Sequence, residues 1–136
     1  MAVAEKIKQI SNEVRPMIVG QSDEIASLRD MISRVAKASV PILLNGPSGS
    51  GKEMVAKAIH DMSSPGTPFI AINCAAIPEN LIESELMGYV KGAFTGAVTN
   101  REGKFEAVKN GTLLLDEISE TPPDFQTKLL RFLQER

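Results

Sequence analysis

Residues 41–53 read PILLNGPSGSGKE, and the fold of the chain turns on them. The apolar residues Ile42, Leu43 and Leu44 run into Gly46, Pro47, Ser48, Gly49, Ser50, Gly51 and Lys52, which fit the first seven positions of the phosphate-binding loop pattern GxxxxGK[ST]. Residues 42–45 are long enough for a buried parallel strand, and residues 52–62 place Val55, Ile59 and Met62 at helical spacing. Strand, glycine-rich turn and helix in that order aim backbone N–H groups at one point, where the helix dipole also favours an anion. A polyphosphate suits that point, and Lys52 can set its ammonium between the terminal phosphates. One position departs from the pattern. Glu53 stands where a Ser or Thr hydroxyl usually meets magnesium. A glycine turn without a ligand is the plainer alternative, and the correctly spaced Lys52 weighs against it.

The chain has 136 residues, 43% of them hydrophobic, enough for one core and for one domain or part of one. Its formal net charge is −2 and its 15 Lys and Arg residues are scattered, so no basic face points to nucleic acid or a membrane, and no direct DNA contact is expected. A single cysteine, Cys74, cannot form an internal disulfide and suits a reducing compartment. It closes an apolar run with no basic partner nearby in sequence, which reads as a packed thiol rather than a nucleophile. The first residues lack the apolar core of a signal peptide, and no run approaches membrane-spanning length. The expectation is a soluble, cytoplasmic protein.

Upstream of the loop, residues 2–14 put Ile7, Ile10 and Val14 on one helical face before Pro16, as a short helix or linker. Residues 23–38 form a stronger helix, with Ser22 as cap, Asp23 and Glu24 in the first turn, and Ile25, Leu28, Ile32 and Val35 as its apolar stripe. Downstream, residues 69–73 read as a second buried strand, and Pro78 suits the start of a helix carrying Leu81, Ile82 and Leu86. The lone His60, near a helix end, reads as packing or capping. Residues 88–100, GYVKGAFTGAVTN, break every periodicity and read as a flexible loop or loose hairpin with Phe94 partly tucked. Residues 111–117, GTLLLDE, are a third strand ending in adjacent acids. Carboxylates at that end of a parallel strand sit where open α/β sheets bind ligands. There Asp116 would hold magnesium and Glu117 would orient and deprotonate an attacking water. A last helix follows Thr121 and Pro122, with Phe125, Leu129, Phe132 and Leu133 on its apolar face.

Three landmarks, GPSGSGKE at residues 46–53, GAFTGA at residues 92–97 and GTLLLDE at residues 111–117, closely resemble in order and spacing the central ATPase domain of the sigma-54-dependent bacterial transcription activators, the NtrC-like branch of the AAA+ ATPases. A Glu after the loop Lys is normal in that family. The resemblance covers residues 18–136 and implies a three-layer α/β/α domain with a parallel sheet, of which only the first three core strands are present, behind an N-terminal helix or linker over residues 1–17. It implies ATP and Mg2+ as cofactors. Gly46, Pro47, Ser48, Gly49, Ser50, Gly51, Lys52 and Glu53 would cradle the phosphates, Asp116 the metal, and Val19 and Gly20 would lie along the adenine. Glu117 would activate water, and Asn73 would hydrogen-bond it and couple it to the remodelling loop. Gly92, Ala93, Phe94, Thr95, Gly96 and Ala97 would form the arm that touches the sigma-54 factor of RNA polymerase, in a domain that works as a homo-oligomeric ring.

Departures accompany the likeness. Met87, Tyr89 and Val90 stand where the family usually shows an aromatic residue and a His-Glu pair. Family members continue with two further strands, arginine fingers, a helical lid and usually a DNA-binding domain. In their strand order the fourth strand lies between the first and third, so residues 42–45 and 112–116 are expected not to pair directly. Three functional readings follow from the residues: an ATP-driven activator module, a nucleotide-binding interaction protein that does not hydrolyse, and a small phosphotransfer kinase. The last wants an arginine-rich lid, and none is visible. The expectation for the isolated chain is negligible turnover.

Overall fold

Ser22 accepts a hydrogen bond from the Ile25 amide and so starts α1, Asp23–Val35, in the computed structural model, which describes residues 17–135. The helix expected over residues 2–14 lies outside that range. Glu24 in the first turn is held below its ordinary carboxyl value by its own backbone N–H and then by the Ser22 hydroxyl. The predicted stripe faces inward, with Ile32 buried and Ile25, Leu28 and Val35 packed beside it. Helix α2, Lys52–Ser63, adds Ala58 and Ile59 to the same core, with Val55 and Met62 at its edge. His60 is buried, as a packed histidine should be. These elements belong to one compact unit, Met1–Gly66.

Within that unit the strand expected over residues 42–45 is not formed. No ladder includes those residues, Leu43 is 83% exposed and Ile42 is 40% exposed. The reason is physical. A strand exists only through its neighbour's carbonyls and amides, and no strand lies in this unit among the described residues.

The second unit, Thr67–Arg136, holds the parallel sheet. Strand β1, Phe69–Asn73, pairs in parallel with β4, Thr112–Asp116, in the register Phe69 with Thr112 through Asn73 with Asp116. Alternation sends Ile72 and its partner Leu115 to one face, where they meet Ile82 and Leu86 of α3, Glu79–Met87, and Phe125 and Leu129 of α5, Pro123–Gln134. Pro123 at the first position of α5 suits a site whose amide has no helical acceptor. Residues 69–73 were expected to form a buried strand, but Ala71 and Asn73 on the other face of β1 are exposed. The unit has the mixed α/β character with a parallel sheet that the sequence led us to expect.

A second, antiparallel pair joins β2, Gly88–Tyr89, to β3, Arg101–Glu102. Gly88 is needed there. It has φ of 70°, and a Cβ would stand 2.5 Å from the Gly103 amide nitrogen and closer still to the Arg101 carbonyl oxygen. A short helix, α4, Lys104–Ala107, carries the chain back, and its Phe105 ring meets Phe132 of α5 at 4.5 Å between centroids.

Candidate functional site

Residues 46–52 form a hydrogen-bonded turn although no strand precedes them among the described residues. Ser50 donates its amide to the Pro47 carbonyl at 3.2 Å, and Gly49 and Gly51 take positive φ angles of 76° and 90°. Gly51 is the N-cap of α2 and, having no side chain, leaves the first-turn amides without a side-chain acceptor. Four such amides have no partner inside a helix, so this end of α2 presents donors and the positive end of the dipole together. Lys52 lies back over the loop and donates to the Gly46 and Pro47 carbonyls, each at 3.0 Å. Those neutral acceptors are ones that a charged phosphate oxygen outcompetes, because charge-assisted bonds are roughly twice as strong. Pro47, Ser48, Gly49, Ser50 and Glu53 are exposed, and Gly46, Gly51 and Lys52 half-buried. The residues therefore fit a polyphosphate.

Also in the first unit, Ile18 is buried while Val19 beside it is 80% exposed. Their backbone is held by Arg29, whose Nε and Nη2 donate to the Ile18 carbonyl at 2.9 and 2.6 Å and whose Nη2 donates to the Gly20 carbonyl at 2.7 Å. Reading α1 for its apolar stripe passed over Arg29. Its position four after Ile25 and three before Ile32 was the available signal, since that spacing faces inward.

In the second unit, Asn73 and Asp116 are register partners at the carboxyl ends of adjacent strands, on the same face. Asp116 accepts the Glu117 amide on Oδ1 at 2.9 Å, and Asn73 accepts the Ala75 amide on its own Oδ1 at 2.9 Å. Glu117 is exposed and adopts φ 53°, ψ 43°, a left-handed conformation that side-chain-bearing residues rarely take. The corner beyond it is stitched by Thr121, which donates its hydroxyl to the Ile118 carbonyl at 2.7 Å, and by Gln126, which donates to the Thr121 carbonyl at 2.9 Å. Buried Cys74 has its thiol pushed up, first by burial and then by the Asp116 charge. Among the described residues no group of three or more His, Cys, Asp or Glu side chains could hold a metal ion. A single carboxylate is still compatible with Mg2+, which takes one or two and fills its shell with waters and phosphate oxygens.

The GAFTGA stretch is a more ordered hairpin than its composition suggests. Lys91 donates its amide to Asn100 Oδ1 at 2.7 Å, Gly92 to the Ala97 carbonyl at 2.9 Å, and Ala97 to the Phe94 carbonyl at 3.1 Å. Phe94 is 52% exposed, and its ring meets Tyr89 edge-on at 4.9 Å and 68°. Gly92, Ala93, Thr95 and Gly96 are exposed with it, and Ala97 alone of the six is buried. At the neck Arg101 pairs with Glu85 at 2.5 Å. The structure thus gathers Asn73, Asp116 and Glu117 in one unit and Lys52 with its loop in the other.

A glycine-rich helix start with its lysine in one unit, and in the other a parallel strand followed by adjacent acids, belong to a mixed α/β protein with a parallel sheet. The chain belongs to the Sigma-54 interaction domain family, whose sequence pattern matches residues 18–136. It is 54% identical over 123 residues to the transcriptional regulatory protein GlrR of Escherichia coli (strain K12), across 90% of this chain and 28% of that protein. Over 139 residues it is 50% identical to the Nif-specific regulatory protein of Azotobacter vinelandii, across 97% of this chain and 27% of that one. Among solved structures, NtrX from Brucella abortus in complex with ATP superposes with a TM-score of 0.73 at 37% identity, covering 94% of this chain and 27% of NtrX. NtrX in complex with ADP gives 0.70 at 36% identity. The chain spans little more than a quarter of the length of these relatives. Among the described residues no helix is long and apolar enough to cross a membrane.

Proposed function

We propose that this chain is an ATP-binding portion of a sigma-54-dependent transcription activator, in which ATP hydrolysis is coupled through the GAFTGA arm to remodelling of the sigma-54 RNA polymerase. The observation that carries the reading is the start of α2, where uncapped amides stand beside a lysine resting on replaceable carbonyls. NtrX, a relative at 37% identity, was solved with ATP, and the same nucleotide is the ligand proposed for residues 46–53. Val19 and Gly20 lie along the adenine. Lys52 leaves the Gly46 and Pro47 carbonyls for the terminal phosphates.

Asp116 would hold Mg2+, which when bound would neutralise phosphate charge. Glu117 takes the proton of the attacking water, and Asn73 orients Glu117 through its side-chain amide. Phe94 and Thr95 contact sigma-54 from the exposed tip of the arm. The working assembly is a homo-oligomeric ring in the cytoplasm that makes no DNA contact through these residues. A second reading, nucleotide binding without hydrolysis by the isolated chain, is favoured by the unpaired residues 42–45, because a loop not anchored to a sheet is poorly held for chemistry.

The test is calorimetric titration of the full chain with ATP and Mg2+. Lys52→Ala is expected to weaken binding by at least about tenfold, or about 1.4 kcal/mol. Equal affinity in the two proteins refutes the site. Turnover abolished by Glu117→Gln decides for the first reading over the second.

A further inference from the structure

Arg29 is 7% exposed, a costly position for a charge unless its donors are satisfied. Its acceptors are two backbone carbonyls that flank Val19, those of Ile18 and Gly20, at 2.6 to 2.9 Å. Buried Ser33, one turn on, donates its hydroxyl to the Arg29 carbonyl at 2.9 Å. Hydrogen bonds from a charged donor are the stronger kind. Ile18 is meanwhile packed against Ile32, Ala58 and Ile59. The backbone on both sides of Val19 is therefore fixed, while the Val19 side chain itself stands 80% exposed. An exposed valine is ordinary in itself. One whose flanking carbonyls are both clamped by an internal guanidinium is a preset apolar contact, suited to a flat, uncharged group such as a purine base.

We propose that Arg29 is the positioning residue for base recognition. By holding the Ile18 and Gly20 carbonyls it presents Val19 to the purine ring, so the base-dependent part of nucleotide affinity runs through Arg29 while the phosphate-dependent part does not. The inference rests on the nucleotide reading above and deepens it.

The experiment compares binding of ATP with binding of inorganic tripolyphosphate by calorimetry, both with Mg2+, in the full chain and in Arg29→Met, Arg29→Lys and Val19→Ser. Val19→Ser alters an exposed side chain with no packing to lose, so it carries the test if Arg29→Met fails to fold by circular dichroism. Arg29→Met and Val19→Ser are expected to weaken ATP about tenfold and tripolyphosphate by less than about twofold. Arg29→Lys, which keeps the charge but not the fork that bridges two carbonyls, falls between. A merely structural role would move both ligands together, so equal losses overturn the proposal, as does unchanged ATP affinity in Val19→Ser. If the unaltered chain binds tripolyphosphate as tightly as ATP, the base contact is refuted and the phosphate site stands. Binding of neither refutes the nucleotide reading, and this proposal with it.

Discussion

Replacing Glu117 with glycine should make the protein more stable while removing the group proposed to activate water. Glu117 holds φ 53°, ψ 43°, and a side-chain-bearing residue in that left-handed region costs roughly 1–2 kcal/mol. Glycine avoids that strain but adds disorder to the unfolded chain worth about 0.5–1 kcal/mol. The difference leaves a net gain of about 0–1.5 kcal/mol, centred on about 0.75 kcal/mol, or about 2–4 °C in Tm for a chain of this size. Nothing offsets it, because the Glu117 side chain is exposed and its backbone bonds survive the change: the Glu117 amide to Asp116 Oδ1 at 2.9 Å, and the Glu120 amide to the Glu117 carbonyl at 3.0 Å. Glu117→Gln keeps the same backbone preference and should unfold within about 0.5 kcal/mol of the parent. Glu117→Val, β-branched and least tolerant of positive φ, should fall below both. Thermal and urea unfolding followed by circular dichroism ranks the four proteins. If Glu117→Gly unfolds at a lower midpoint than Glu117→Gln, no strain is stored at the acid corner and the reasoning fails.

Gly88→Ala should disrupt the neck of the arm, since strain at φ 70° costs on the order of 1–3 kcal/mol and the added methyl overlaps the Arg101 carbonyl. Faster limited proteolysis within residues 90–100 is the expected result, and an unchanged cleavage rate would count against the neck. Cys74 should resist iodoacetamide at mild alkaline pH by at least about tenfold relative to a free thiol, because burial and the Asp116 charge favour its protonated form. With the folded thiol raised above its unfolded value, the stability it contributes is fully present below the ordinary thiol range and is lost as pH rises through the folded value. Cys74→Ala should therefore flatten the alkaline limb of the stability curve, and rapid alkylation of the native chain would contradict this.

Much of the fold lay open in the residues because its signals are local. Ser22, the inward stripe of α1 and Pro122 at the N-cap of α5 each act within a turn or two. The runs that became β1 and β4 were visible from their apolar content and polar ends, and the second ends at Asp116 as expected. Residues 42–45 carry the same local signal and form no strand, because pairing depends on a partner elsewhere in space, and apolar content says nothing of whether one is present. Arg29 was missed for a related reason: a charge on a helix is ordinarily solvated, and only helical register reveals that this one points inward. The left-handed backbone at Glu117 left no mark in composition, since side-chain-bearing residues reach that region only where surrounding structure holds them there. Tyr89 was noticed as a departure from the family pattern, whereas its edge contact with Phe94 depends on the hairpin closing.

The hairpin neck carries one more consequence. Because Gly88 and Tyr89 already face Glu102 and Arg101, the ends of the intervening stretch are closed whatever lies between them, and doubling its length would cost only about 0.6 kcal/mol of closure entropy. Apart from Ala97, its side chains are exposed or half-exposed, so most substitutions there leave the packing of Leu86 and Phe125 untouched. Selection can therefore alter the exposed tip of this stretch almost independently of whether the unit folds.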